Sequence, residues 1–266
     1  YITFPLKRKK KLSTYWKIVR ELRKENGELG VIFVNTFISA LLFRLGNVKK
    51  NIGYNREGRG FLLDFSPEIN YHKHYINRYA FLFNEYIGNK YVYLPELSLR
   101  YTGQKTFQFD NSHKTIALYL GGENKEFRKY PDEYAVQLLR LLNRQGYNLL
   151  LIGDENDNIK HTQYAEEARI DHLINLTART TIEGFINTIA NVDLIITIDS
   201  SALHIAAAVK TPFIALMGLS TSPTSTILPK VPLGRILKIE NNLIREEDYI
   251  RNITPDLILK TISELI

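Results

Sequence analysis

Between Ile195 and Gly218 the chain reads IITIDSSALHIAAAVKTPFIALMG, and this stretch constrains the fold more than any other. An apolar run from Val192 to Ile198, interrupted only by Asp193 and Thr197, ends abruptly in Asp199-Ser200-Ser201. A small-residue helix follows from Ala202 to Val209, and then a second apolar run from Pro212 to Met217. Strand, turn, helix, strand is the unit of a parallel α/β sheet. In such sheets ligands sit at the carboxyl ends of strands, and the next helix offers free N–H groups to an anion. The polar cluster lies at that junction.

The rest of the second half repeats the alternation. Strands are expected at Thr115–Leu120, Tyr147–Ile152, Leu173–Leu176, Leu194–Ile198, Phe213–Met217 and Gly234–Ile239, with helices between them. Pro131 suits a helix first turn, Ala135, Leu138, Leu139 and Leu142 recur at helical spacing, and Gly146 is a stop. Thr181–Ile189 places Ile182, Phe185, Ile186 and Ile189 on one face, and Thr254-Pro255 opens a final helix. The first half alternates less clearly: a helix at Tyr15–Lys24 with Trp16, Val19 and Leu22 inward, a strand at Gly30–Val34, and a helix at Phe37–Leu45 with Ala40, Leu41 and Leu45 inward. A short strand at Ile52–Tyr54 and a long helix at Tyr71–Tyr86 follow. From Asn89 to Ser112 the periodicity fades, which reads as a connection with Tyr91–Leu94 as a candidate further strand. The expected domains are therefore 1–100 and 101–266.

A chain of 266 residues with 44% apolar content can fill two cores. With no cysteine, disulfides and thiolate metal sites are excluded. No apolar segment reaches the roughly 18 residues needed to span a bilayer, and no signal-peptide pattern opens the chain, so it reads as cytoplasmic. The net charge of +7 favours anionic partners, and the run Lys7-Arg8-Lys9-Lys10-Lys11 reads either as a solvated loop or as a contact for anionic lipid or acceptor phosphate. Nucleic acid is the least favoured partner, because the aromatic residues occupy expected core positions except around His72–Tyr79.

In the common 3-2-1-4-5-6 strand order, the first and fourth strands of the second half are neighbours, and their loops face one crevice. One loop is Gly121-Gly122 through Arg128-Lys129, with glycines and cations; the other is Asp199-Ser200-Ser201, with a carboxylate, hydroxyls and a helix start. Together they suit a diphosphate. Each also has a plainer reading. Gly121-Gly122 lacks the G-x-G-x-x-G spacing and serves equally as a turn, and Asp199 or Ser200 serves as an N-cap. His204 reads as a packed histidine, Arg128 and Lys129 as a solvated pair, and Glu155 as a first-turn acid or a ribose partner. No histidine pair has metal spacing.

Gly121-Gly122 with Arg128-Lys129-Tyr130-Pro131, then L-I-G-D-E, N-L-T-A-R-T-T-I-E and D-S-S-A-L-H-I-A-A-A-V-K-T-P-F-I-A-L-M-G, resembles the bacterial lipopolysaccharide heptosyltransferases of glycosyltransferase family nine. The resemblance covers nearly all of Lys114–Ile266, and the first half more loosely through Asn35–Ser39, Asn51–Tyr54 and His74. It implies the GT-B architecture, two Rossmann-like doubly wound domains around a cleft, with the donor bound on the C-terminal one. It puts Arg128 and Lys129 against the donor phosphate and Glu155 at or near the donor ribose. Asp199, Ser200, Ser201 and His204 then fall on the donor sugar and diphosphate, and the backbone around Met217–Thr221 borders the nucleotide. Ser201 replaces the usual glycine.

The implied reaction is an inverting transfer without metal or cofactor, in which an acceptor hydroxyl displaces the nucleoside diphosphate. The donor implied is ADP-heptose, and the acceptor an anionic lipid A–Kdo type glycolipid, with peripheral contact at the inner face of the cell membrane. The base expected from the resemblance is an aspartate ahead of Tyr1, so none is assigned; the N-terminal domain reads as lacking its first β-α unit. The alternatives are a sugar-nucleotide epimerase on the same plan and a noncatalytic nucleotide-sugar or glycolipid binding module.

Overall fold

The structure, a computed structural model, describes residues 11–93, 96–218, 228, 229, 231–239 and 245–266. It divides into two compact units, the second beginning at Glu96. The reading of the sequence put that change at 100/101. Residues 96–100 belong with the second unit because Leu97 packs on its core and the Leu99 N–H donates to the Ala208 carbonyl at 3.1 Å.

The first unit contains α1 (Lys11–Glu25), β1 (Leu29–Ile32), α2 (Phe37–Leu45), β2 (Lys50–Gly53) and α3 (Tyr75–Tyr86). β1 and β2 pair in parallel, from Leu29 opposite Lys50 to Ile32 opposite Gly53. Thr36 caps α2 by accepting from the Ser39 N–H. Wholly buried Arg59 ties the loop after β1 to the end of β2. Its Nε donates to the Tyr54 carbonyl at 2.9 Å, and its Nη atoms donate to the Val34 and Thr36 carbonyls, Ser39 Oγ and Asn35 Oδ1.

Several expected faces turn out differently. Trp16 is 59% exposed while Val19 is buried. The inward stripe of α1 is Tyr15, Val19 and Leu22, the last lying against Gly46 at the end of α2, and one residue on from Tyr15 the helix has turned by about 100°. In α2 the buried residues are Ala40 and Leu42, and Leu45 is exposed. α3 begins at Tyr75, four residues after the expected start, because His74 Nδ1 accepts from the Ile76 N–H as its cap. Tyr91–Tyr93 form no strand, and Leu94 lies outside the described residues.

The second unit contains β3 (Thr115–Tyr119), α4 (Asp132–Arg144), β4 (Asn148–Leu151), α5 (Asn158–Ala168), β5 (Ile174–Asn175), α6 (Ile182–Ala190), β6 (Leu194–Ile198), α7 (Ser201–Val209), β7 (Phe213–Leu216), β8 (Gly234–Leu237) and α8 (Pro255–Ile262). All six strands are parallel, in the order β5-β4-β3-β6-β7-β8. That is the doubly wound order read from the sequence, reversing between β3 and β6.

Alternate residues of each strand feed two cores. Ile116, Leu118, Ile196 and Ile198 pack under α4 and α8, whereas Ala117, Tyr119, Ile195 and Phe213 pack under α7. Ala202, Ala206 and Ala207 are buried and let α7 lie close on the sheet. Helix ends follow their local chemistry. Gly146 takes φ +82° just beyond α4, Thr181 accepts from the Gly184 N–H, and Thr254 accepts from the Leu257 N–H with Pro255 at the first helical position. Ile182 departs from expectation: as the first residue of α6 it is 83% exposed, while Ile189 is buried.

Candidate functional site

The loops after β3, β4 and β6 meet at the carboxyl edge of the six-stranded sheet, and glycines set how closely. Gly121 has φ +81°, and a Cβ there would stand 2.7 Å from Ile198 Cδ1 at the end of β6. A Cβ on Gly122 would stand 2.5 Å from the Asn156 carbonyl oxygen and 2.6 Å from Asp157 Cα, which brings in the loop after β4. On the other side, a Cβ on Gly218, just beyond β7, would stand 2.7 Å from the Phe127 carbonyl oxygen. The loop carrying Arg128 is therefore wedged among its neighbours' loops, and only glycine permits the approach.

In the β6 loop, Ser200 caps α7: its Oγ accepts from the Ala202 N–H at 3.2 Å and lies 3.0 Å from Thr197 Oγ1. Ser201 is exposed as the first residue of α7, and it is absent from the residues with left-handed φ. The serine in place of a glycine therefore costs no backbone strain here. Asp199 is half-buried ahead of the cap, and His204 is half-buried one turn into the helix. The amino end of α7, with its uncompensated N–H groups, follows the carboxyl end of β6.

The β3 and β4 loops are tied by charge. Lys125 Nζ lies 3.1 Å from Asp154 Oδ2 and 5.6 Å from the centre of the Tyr119 ring. Asp154 accepts from the Asn156 N–H at 2.8 Å, and Asp157 Oδ2 accepts from the Asp154 N–H at 3.0 Å, which closes a capping box ahead of α5. Burial would raise the Asp154 carboxyl, but the Lys125 and Asn156 hydrogen bonds hold it below its ordinary value. Asp157 is wholly buried, and that burial raises its carboxyl. His161, one turn along α5, is also wholly buried, with Nδ1 2.7 Å from Thr177 Oγ1; burial pulls it down to about 4, so it is neutral.

Not every residue singled out from the sequence faces this mouth in the same way. Arg128 is half-buried at the end of the short 3-10 turn Glu123–Arg128. Lys129 commits its ammonium to Asp132 Oδ1 at 2.8 Å, and the same carboxylate takes Lys160 Nζ at 3.1 Å and the Tyr164 hydroxyl. Against the effect of burial, hydrogen bonds from Lys129, Tyr164 and Lys160 pull Asp132 down to about 2. Lys129 also lines a cavity of about 290 Å³ with Phe127, Asp132, Arg245 and Arg251. Glu155 is exposed at the start of the β4 loop. Met217 is wholly buried in the core, its N–H donating to the Leu237 carbonyl at 2.9 Å, so its backbone alone borders the edge; residues 219–221 lie outside the described residues.

Sequence reasoning overlooked Asp154, Asp157 and Thr197. Asp154-x-x-Asp157 does carry capping-box spacing, and that signal was readable. Among the described residues no group of three or more His, Asp or Glu side chains could hold a metal ion, and no helix is long and apolar enough to cross a membrane.

A doubly wound parallel sheet with glycine-packed polar loops at its switch point defines a Rossmann-like α/β protein, and its structural neighbours are of the GT-B kind. The chain belongs to glycosyltransferase family 9 (heptosyltransferase), whose sequence profile matches residues 15–247, and it is accordingly a glycosyltransferase. It is 26% identical over 281 residues to lipooligosaccharide heptosyltransferase 2 of Haemophilus influenzae, covering 96% of this chain and 81% of the relative. ADP-heptose LPS heptosyltransferase II of E. coli superposes with a TM-score of 0.80 at 22% identity, covering 96% of this chain and 81% of that one. The E. coli heptosyltransferase WaaC with ADP-2-deoxy-2-fluoro heptose superposes at 0.72 with 17% identity, covering 95% and 76%.

Proposed function

We propose that this glycosyltransferase moves a heptose, or a closely related sugar, from a nucleoside-diphosphate donor to an anionic glycolipid of the lipopolysaccharide inner core, at a membrane surface. The observation that carries the reading is the side-by-side placement of the β3 and β6 loops, set by the parallel pairing of β3 with β6 at the switch point. ADP-heptose is the favoured donor, since a solved relative holds an ADP-heptose analogue and another is named an ADP-heptose heptosyltransferase.

In the proposed chemistry the acceptor hydroxyl attacks the anomeric carbon. The new C–O bond forms as the bond to the diphosphate breaks, the configuration inverts, and the hydroxyl proton passes to a base that the described residues do not assign. The leaving diphosphate gains charge as it departs. Arg128 and the N–H groups at the start of α7 are the groups proposed to meet it, and preorganised donors aimed at developing charge are effective catalysts without metal. Glu155, exposed beside the mouth, is the proposed ribose partner; Asp199 and His204 are the proposed sugar-side contacts.

The test is to incubate the chain with ADP-heptose and a heptose-deficient core acceptor and to follow ADP release together with the mass of the acceptor. Release coupled to a gain of one heptose supports the reading. Donor binding without either product points to a noncatalytic binding module, and isomerised sugar nucleotide without acceptor points to an epimerase.

A further inference from the structure

The outward face of α1 has no role in the site described above, and its composition is unusual for a solvated helix. Leu12 is 73% exposed and Trp16 is 59% exposed. They stand one turn apart in a stripe that continues through Arg20 and Lys24, both exposed. Lys17 flanks the stripe on one side, and Arg23, whose Nε donates to the Leu45 carbonyl at 2.9 Å, flanks it on the other. Of the helix's two acids, Glu21 offsets Lys24 at 2.8 Å and Glu25 is the last residue of the helix, so Lys17, Arg20 and Arg23 keep the face net positive. In the sequence the run Lys7–Lys11 leads directly into this face.

We infer that this face of α1 docks on an anionic bilayer surface, with Trp16 and Leu12 entering the headgroup layer and Lys17, Arg20 and Arg23 meeting lipid phosphates. The inference deepens the reading of a glycolipid acceptor at a membrane and rests on it for its purpose. Charge and shape single out this occupant. An interfacial helix carries Trp and Leu among Lys and Arg, whose long stems lie along apolar surface while their charges reach the phosphates. A second copy of the chain would set cations against cations. The phosphate backbone of a nucleic acid would leave Leu12 and Trp16 without an apolar partner.

Trp16 is the chain's single tryptophan, so its emission reports on this face alone. The full chain is titrated with vesicles of phosphatidylcholine containing phosphatidylglycerol, and with phosphatidylcholine alone, in the absence of donor and acceptor. The expected result is a blue shift with reduced acrylamide quenching on the anionic vesicles only, reversed by raising the salt. Reversing two charges, Lys17→Glu with Arg20→Glu, is expected to weaken vesicle binding by about tenfold or more. Leu12→Ser is expected to shrink the shift, with the circular dichroism of both variants unchanged and co-sedimentation giving the same ranking.

The inference is overturned by an unshifted spectrum on anionic vesicles or by an equal shift on neutral ones. A shift that grows with protein concentration without lipid identifies a second copy and overturns it too, as does a shift produced by an oligonucleotide but not by vesicles. Because no substrate is present, failure of sugar transfer leaves this result standing, and loss of vesicle binding leaves the transfer assay to be judged separately.

Discussion

Gly121 approaches Ile198 so closely that a single added methyl would sit 2.7 Å from the isoleucine's Cδ1, and the pairing of β3 with β6 sets the loop after β3 against the end of β6. The proposed donor site depends on that approach, since it brings the glycine-bearing loop beside Asp199, Ser200 and Ser201.

Arg128 closes the 3-10 turn of that loop. Arg128→Ala is expected to weaken ADP binding by about 1–3 kcal/mol, the range for losing a charged hydrogen bond. Isothermal titration measures it directly, and an unchanged affinity removes Arg128 from the site.

Gly122→Ala would drive a methyl into the Asn156 carbonyl oxygen, 2.5 Å from the Cβ position. Backbone cannot yield as a flexible side chain does, so a loss of about 1–3 kcal/mol is expected, with weaker nucleotide binding as the β3 and β4 loops separate. Gly27→Ala, where the nearest atom is 3.7 Å away, is the control. Urea unfolding of the two variants compares them.

Ser200 separates stability from binding. Ser200→Ala removes the α7 cap and the Thr197 contact and is expected to cost about 1 kcal/mol. Ser200→Asp keeps a capping oxygen and restores stability, yet it sets a negative charge where the diphosphate is proposed to lie, so ADP affinity falls. Thermal denaturation and titration of both variants read the split.

His161 makes stability depend on pH. Its ordinary value is 6.5 and burial lowers it to about 4. Between those values the unfolded chain holds a proton that the folded chain lacks, so stability rises with pH across this window and is lost as pH falls from 6.5 to 4, by roughly 3 kcal/mol in full. His161→Gln is expected to flatten that slope in urea unfolding at pH 7, 5.5 and 4.5. Asp157, whose carboxyl burial raises, contributes the opposite slope, present in both proteins.

The sheet order was legible because the central strands β3, β4, β6 and β7 are mainly apolar runs, and βα alternation leaves few ways to arrange them. The β3 and β6 loops were legible for the same reason. The Lys125–Asp154 bridge was not, because its partners are 29 residues apart in sequence and meet only through the pairing of β3 with β4. The Lys129–Asp132 bridge joins residues only three apart, and charge counting passed over it. In α1, periodicity identified a helix but took Trp16 for core, since apolar character marks the outer face there as well.

The chain leaves β3 to build α4 on one face of the sheet and leaves β6 to build α7 on the other, each helix over its own core. The chain passes from one half of the sheet to the other through α6, between β5 and β6. Exchanging residues on the rim therefore leaves the ladder of main-chain bonds beneath intact, so the preference of the proposed donor site can change without rebuilding its scaffold.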